Sequence, residues 1–343
     1  MNSNKQLIII SNEKTSVKKG KICCENIDLK SIPEGLNKNL DVTLISKKTN
    51  IEYFHQINLE KIKFASNIFS YLLCILKTFK FKNTNYLIIS ITPYTFFAFL
   101  ILFIFRKNIY VYLRSNGYEE YKVILGLFGS SIYHIMHTTV LFGSKIITCQ
   151  KKLAGKKKYD LAFPSELDAK WLKKINDPLL DKPRILYAGR IKIEKGIFSL
   201  IKILNEVNID FEFSIIGGGD THKLNKKYIE NKKFIVYPFQ SEINSLIKFY
   251  DNHNITILPS FTEAHPKVVD ESLSRARPVI IFEEISHIIQ NRYGVFVSKR
   301  NAKSLSETVE FIMNSYTNIQ EDIKKNKLPT KQEFISQITK ILS

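Results

Sequence analysis

At 343 residues the chain exceeds one average domain and predicts two. Its 44% apolar content fills ordinary cores, and 24% charge is usual for a water-soluble protein. The net charge of +19 is unusual and one-sided: residues 1–176 hold 27 Lys and Arg against 12 Asp and Glu, whereas residues 177–343 hold 24 against 20. Such an excess points the N-terminal half toward an anionic partner: a membrane surface, a phosphorylated acceptor or nucleic acid. Nucleic acid fits least, because no RNP, zinc-finger or helix-turn-helix signature is present and only 8 of the 51 basic residues are Arg. Cys23, Cys24, Cys74 and Cys149 make no CxxC pair, which argues against a metal centre and fits free thiols in a reducing compartment. The apolar run 7–10 is too short for a signal-peptide core, so a cytoplasmic protein is expected.

Taken in order, short apolar strands alternate with helical patterns, which predicts parallel α/β sheets. In the first half strands are expected at 7–10, 42–45, 86–91, 109–113 and 145–148, a short one near 160–162, and helices at 64–80, 95–106 and 120–143. The stretch 64–80 carries Phe64, Ile68, Tyr71, Leu72, Ile75 and Phe79 on one face with lysines around it, so it can pack on a sheet or lie on anionic lipid. Residues 86–105 carry no charge and are long enough to nominate a membrane span. Ser90, Thr92, Pro93 and Thr95 interrupt them, and we read a strand, a turn and a helix instead. His134 and His137 stand three apart on an apolar helix with no third ligand, and are read as structural.

A hinge is expected at 176–183, where prolines and aspartates break the pattern. The alternation then restarts, with strands at 184–188, 211–216, 234–237, 255–258, 278–282 and 294–297 and helices at 195–206, 242–250, 266–276, 302–314 and 331–342. A ligand is expected at the carboxyl ends of the strands, between the two domains.

Three clusters carry chemistry. Gly189-Arg190 and Lys195-Gly196 lie between a strand and a helix, where two fixed cations and backbone amides favour an anion such as a diphosphate. Gly217-Gly218-Gly219 follows a strand and permits close backbone approach to a ligand. Pro259-Ser260-Phe261-Thr262-Glu263-Ala264-His265-Pro266, then Glu271, places two carboxylates in a loop and the next helix, where they can accept hydrogen bonds from sugar and ribose hydroxyls.

In this order, with Pro278-Val279-Ile280 after them, these elements resemble the family 4 glycosyltransferases over about 110 residues. The resemblance implies the GT-B fold: two Rossmann-like α/β domains whose parallel sheets face each other across a cleft. It implies a membrane-facing, acceptor-binding domain at 1–176, a nucleotide-sugar-binding domain at 177–327 and a C-terminal helix at 328–343 that returns to the first domain. Arg190 and Lys195 would bind the donor diphosphate, Glu271 the ribose, and Glu263 the transferred sugar, so that Glu263, Arg190 and Lys195 form the catalytic set. Gly217, Gly219, Ala264, His265, Pro266 and Lys267 would complete the donor site. By position alone Gly20 (in a basic turn with Lys18, Lys19 and Lys21), Arg114, Asn116 and Glu119 are acceptor-side or phosphate candidates, and the base pocket is placed near Pro238 and Phe239. Neither a metal nor another cofactor is expected, since no Asp-x-Asp is present and the family transfers without metal, with retention at the anomeric carbon.

Departures from the family pattern are Ala264 and Ala276 where glycine is usual, His265 where an aromatic or small residue is usual, and no His in the loop 114–121. The expected protein is a cytoplasmic enzyme peripheral to the inner face of the cell membrane. It would move a sugar from a nucleotide diphosphate to a lipid-linked or surface-polysaccharide acceptor in bacterial envelope synthesis. Rival readings are a nucleotide-sugar epimerase of similar fold, or a basic membrane- or nucleic-acid-binding protein without catalysis.

Overall fold

The computed structural model describes residues 5–18, 20–219, 224 and 234–343. The chain divides into two compact units, residues 1–164 with 332–343, and residues 165–331.

In the first unit the strand β1 (Gln6–Lys18) is central. Its first half pairs in parallel with β3 (Asp41–Lys48) on one side and with β6 (Thr84–Ile89) on the other. The sheet continues outward from β3 to β5 (Ile62–Ala65), and from β6 through β7 (Asn108–Leu113) and β8 (Lys145–Thr148) to β9 (Tyr159–Leu161). Beyond a bulge at residues 11–13, β1 runs on to pair antiparallel with β2 (Lys21–Cys24), which pairs with β4 (His55–Ile57). Side chains alternate across the strands. Leu7 and Ile9 pack with α1 (Ile27–Leu36) and the last helix, Lys331–Leu342, in one core cluster. Helices α2 (Ile68–Leu76), α3 (Pro93–Ile104), α4 (Gly117–Leu125), α5 (Leu127–Phe142) and the short α6 (Lys151–Ala154) complete the unit.

Several expected elements change here. Residues 62–65 join the sheet edge, so the helix expected at 64–80 begins at Ile68, where Asn67 and Ser70 close a capping box. The helix expected at 120–143 is two helices, because Gly126 sits at φ 67°, ψ −149°, outside the helical region and open to glycine. The uncharged stretch resolves into β6 and α3, with Thr92 capping the helix. Among the described residues no helix is long and apolar enough to cross a membrane.

The second unit holds a six-stranded all-parallel sheet in the order β12-β11-β10-β13-β14-β15. These strands are Arg184–Ala188 (β10), Glu212–Ile216 (β11), Phe234–Tyr237 (β12), Ile255–Leu258 (β13), Val279–Phe282 (β14) and Val295–Ser298 (β15). Each is almost wholly apolar, as strands covered on both faces require. Helices α7 (Ile197–Glu206), α8 (Ile243–Asn252), α9 (Lys267–Ser274), α10 (Ala302–Asn314) and α11 (Tyr316–Ile323) surround the sheet. We number the final helix, Lys331–Leu342, α12.

The structure divides the chain at 164/165 rather than at 176/177, and 176–183 lies inside the second unit. Ser165 Oγ donates to the Pro329 carbonyl at 2.6 Å and Lys331 N–H to the Leu167 carbonyl at 2.8 Å, and a pair of buried arginines holds the residues that follow. Arg275 holds Asp251 through Nε at 2.8 Å and donates to the carbonyls of Trp171, Lys173 and Lys174. Arg277 donates to the carbonyls of Asn176, His253 and Tyr250. Trp171, itself buried, meets Tyr250 edge-on at 5.6 Å. Asn254 donates to the carbonyls of Leu179 and Lys182, which ties down the rest of the expected hinge. Ala276 between the arginines adopts φ 52°, the left-handed conformation that explains why glycine is usual there. Replacing Arg275 by Met should cost about 3–5 kcal/mol, since it leaves Asp251 buried without its cation and three carbonyls without donors. Denaturant unfolding of the variant beside the parent measures this.

Candidate functional site

Strand order reverses in the second unit between β10 and β13, and a crevice at the carboxyl edge there is where a sheet of this topology takes a ligand. After β10 the chain makes a 3-10 turn at Ile193–Lys195 and reaches Gly196 at φ 69°. A Cβ on Gly196 would stand 1.9 Å from the carbonyl oxygen of Pro259, so only glycine lets this turn approach the loop after β13. The contact is sealed by Phe261 N–H donating to Glu194 O at 3.1 Å.

Lys195 and Glu263 meet in this crevice. Lys195 Nζ donates to Glu263 Oε1 at 2.5 Å, and Ser260 Oγ donates to the same oxygen at 2.7 Å. Both side chains are largely buried, which strengthens the pair relative to one in open water. Arg190 is exposed beside them, its carbonyl accepting from the buried Tyr187 hydroxyl at 2.6 Å. The structure thus brings Lys195 and Glu263 together directly.

Glycines 217–219 serve this geometry from the side. A Cβ on Gly217 would stand 1.8 Å from Gly189 O, and Ile191 N–H donates to Gly218 O at 2.8 Å. Gly219, at φ 117°, bridges Ile191. Phe239 lies next to this loop, within 3.7 Å of a Cβ built on Gly218.

The remaining predicted residues surround the start of α9. Ala264 is buried. Pro266 is the N-cap and has no N–H to offer a ligand, so its contribution is a fixed φ ahead of the helix. His265 is turned inward, its Nε2 2.9 Å from Asp270 Oδ2, while Arg292 bonds Asp270 Oδ1 and the Ile288 carbonyl. Lys267 pairs with Glu166 at 3.0 Å, and Lys331 holds the other oxygen of Glu166 at 2.9 Å. Glu271 accepts from Tyr250 Oη at 2.8 Å. Burial pushes its carboxyl up to about 7, against the lowering effects of Tyr250 and Lys267.

Sequence reasoning missed Asp270, Arg292, Tyr250, His287 and Arg300. His287 reaches the Glu263 carbonyl at 2.9 Å. The Arg300 guanidinium stacks 4.2 Å from both Phe261 and Phe282, bonds Glu284 at 2.6 Å, and donates to Pro259 O at 3.0 Å. It therefore braces the Glu263 loop at the Pro259 carbonyl, close to Gly196. One signal was available: Arg300 stands two residues past β15, as Arg190 stands two past β10. Nothing in the spacing marks the other four.

In the first unit the candidates do not converge. Arg114 is buried between Glu13 (2.5 Å) and Asp28 (2.6 Å). Burial opposes its charge, and the two carboxylates outweigh that and raise its pKa. Asn116 caps α4 by accepting from Tyr118 N–H, and Glu119 is exposed in the first turn. Gly20 lies at the β1–β2 hairpin tip with φ 75° and open space where a Cβ would be, because β1 continues past its parallel segment. Lys19 lies outside the described residues. His137 Nε2 donates to the Leu153 carbonyl (2.9 Å), and its ring contacts Tyr118, as does that of His134.

Residues 170–328 match the family described as Glycosyl transferases group 1. Over 186 residues the chain is 26% identical to the capsular polysaccharide biosynthesis glycosyltransferase CapM of Staphylococcus aureus, an alignment that takes in 51% of this chain and spans 47% of that relative. Among solved structures, sucrose-phosphate synthase of Thermosynechococcus elongatus aligns with a TM-score of 0.71 at 14% identity, covering 98% of each chain. Anabaena Alr3699/HepE, solved with UDP-glucose, aligns with a TM-score of 0.70 at 12% identity, covering 98% of this chain and 99% of its own. These likenesses establish the GT-B type of α/β fold.

Two outcomes follow from the geometry. Gly217→Ala should lower stability by roughly 1–3 kcal/mol, because the new methyl must push apart the loops after β10 and β11; thermal unfolding reads this. Glu271 is protonated more readily when folded than when unfolded, so its contribution to stability is full below about pH 4.5 and is lost as pH rises through about 7. Relative to Glu271→Gln, the parent should therefore lose up to about 3 kcal/mol of stability across that window; a pH-independent difference between them would refute the assignment. Residues 170–328, carried on this doubly wound sheet, match the Glycosyl transferases group 1 family, and the chain is similar to glycosyltransferases of GT-B fold.

Proposed function

We propose that the chain transfers a sugar from a nucleotide-diphosphate donor to a hydroxyl of a lipid-linked or surface-polysaccharide acceptor, with retention at the anomeric carbon, at the inner face of a bacterial membrane. The observation that carries this reading is the Lys195–Glu263 pair at the β10/β13 switch point. A donor diphosphate arriving beside Arg190 competes for Lys195, and the pair exchanges partners. Lys195 and Arg190 then take the phosphate charge that grows as the sugar–phosphate bond breaks. Glu263, released from Lys195 and still held by Ser260, accepts from hydroxyls of the sugar. Glu271, fixed by Tyr250, accepts from the ribose hydroxyls. With two side-chain cations at the leaving group, the proposed reaction needs no divalent ion.

The group 1 domain and the likeness to a capsular polysaccharide glycosyltransferase support the donor class and the envelope setting. Because HepE was solved with UDP-glucose, UDP-sugars are the first donors to test.

Calorimetric titration with UDP-, GDP- and ADP-sugars in EDTA is the direct test. At least one should bind, and Lys195→Ala should weaken it about 10–100-fold while leaving thermal unfolding near that of the parent. If none binds, or if Lys195→Ala binds as well as the parent, the donor site is misplaced.

A further inference from the structure

In the first unit α2, α3 and α5 form a row of helices, with α3 touching both neighbours. Each buries one stripe: Tyr71 and Ile75 on α2, Ala98, Phe99 and Leu102 on α3, and Tyr133, Met136 and Val140 on α5. A helix covered on one side ordinarily turns charged residues outward. These three turn outward large apolar side chains instead. Phe69, Ile104, Phe128 and Phe142 are 71–78% exposed, and Ile135 stands between the last two on α5. Residues 123–144 contain no charged residue at all.

Ring contacts join the three helices at their C-terminal ends. Phe79, past the end of α2, packs 5.1 Å from Phe105, past the end of α3, and Phe103 packs 6.5 Å from Phe142. The border of this apolar surface is basic, with Lys107 over the Phe79 ring at 4.4 Å and Lys157 over the Phe142 ring at 5.5 Å. Residues 61–158 carry 15 Lys and Arg against 2 Asp and Glu, which leaves +13 of the +19 in this stretch.

We propose that the outer face of α2, α3 and α5 docks on an anionic lipid bilayer, its aromatic and aliphatic side chains entering the headgroup–acyl boundary and its lysines meeting the phosphates. An exposed apolar surface of this extent marks an interaction site, and a basic border selects an anionic partner. A second copy of the chain is disfavoured as the occupant, because it would set two strongly positive faces against each other. The helices lie on the membrane and do not span it, since none described here is long enough. The inference rests on the reading that the enzyme works at a membrane and names the face it uses; it is independent of the donor.

Co-sedimentation of the full chain with vesicles tests it. The parent should bind phosphatidylcholine vesicles containing about one quarter phosphatidylglycerol, and bind pure phosphatidylcholine at least about tenfold more weakly. Combined Phe128→Ser, Ile135→Ser and Phe142→Ser should weaken the anionic binding about 1,000-fold, at roughly tenfold per side chain. Combined Lys156→Glu, Lys157→Glu and Lys158→Glu, which leaves the apolar face intact, should do so by a similar factor. All six positions are exposed, and unchanged thermal unfolding and nucleotide-sugar titration would show that fold and donor site persist. If the apolar variant binds vesicles as the parent does, this face is wrong although membrane association stands. If the parent binds no vesicle, both fail. If sedimentation velocity shows a parent dimer that the apolar variant abolishes, the face joins two copies and the lipid proposal is overturned.

Discussion

The candidate site depends on how closely two backbone turns approach. Gly196 and Pro259 come near enough that any Cβ at position 196 would overlap the Pro259 carbonyl. Neighbouring parallel strands make this possible, because β10 and β13 pair with each other while their next partners lie on opposite sides. The chain leaves β10 toward one side and β13 toward the other, and the space between holds the Lys195–Glu263 pair. Everything around it narrows that space to one geometry: Glu194 accepts from Phe261, Arg300 grips the Pro259 carbonyl, and His287 reaches the Glu263 carbonyl. A carboxylate and an ammonium so placed are held ready for a ligand that carries both anionic phosphates and hydroxyl donors.

The helix that carries Glu271 is anchored from behind. Arg275 and Arg277 follow α9 directly and bind the carbonyls of the segment 171–176 and Asp251 on α8. Charge so deeply buried is tolerable only when every donor is met, and the two guanidinium groups meet theirs largely with backbone carbonyls. Tyr250, on that same helix α8, is then fixed against Glu271. Asp270, the neighbour of Glu271, bonds His265 directly through one carboxylate oxygen and Arg292 through the other. One turn of helix thus sends two adjacent carboxylates to two tasks: Glu271 to the crevice and Asp270 to the support of its loop.

The two units share a doubly wound sheet and differ in what their surfaces offer. In the first, the carboxyl edge near β1 is occupied by a closed ion triad, Glu13–Arg114–Asp28, and the basic excess lies with the apolar outer face of α2, α3 and α5. In the second, charge is nearly balanced, and Arg190, Lys195 and Arg300 follow the carboxyl ends of strands.

By itself the sequence determined the α/β class and nearly all the parallel strands, and it nominated Arg190, Lys195, Glu263 and Glu271. Apolar runs of strand length and strand-end glycines are local signals, and the distances that matter there are short along the chain. It also determined where the positive charge lies, which is a matter of counting. Only the tertiary structure decided which residues meet. Lys195 and Glu263 are 68 residues apart, Arg300 and Pro259 are 41, and Arg275 and Trp171 are 104, so no periodicity relates them. The same holds for the boundary at 164/165, where Ser165 donates to the Pro329 carbonyl 164 residues away, and for Gly20, which a hairpin extension of β1 carries to an open tip. The outward apolar stripe of α5 belongs here too. Periodicity can reveal a helix that is apolar all round, but only packing tells which stripe is left uncovered.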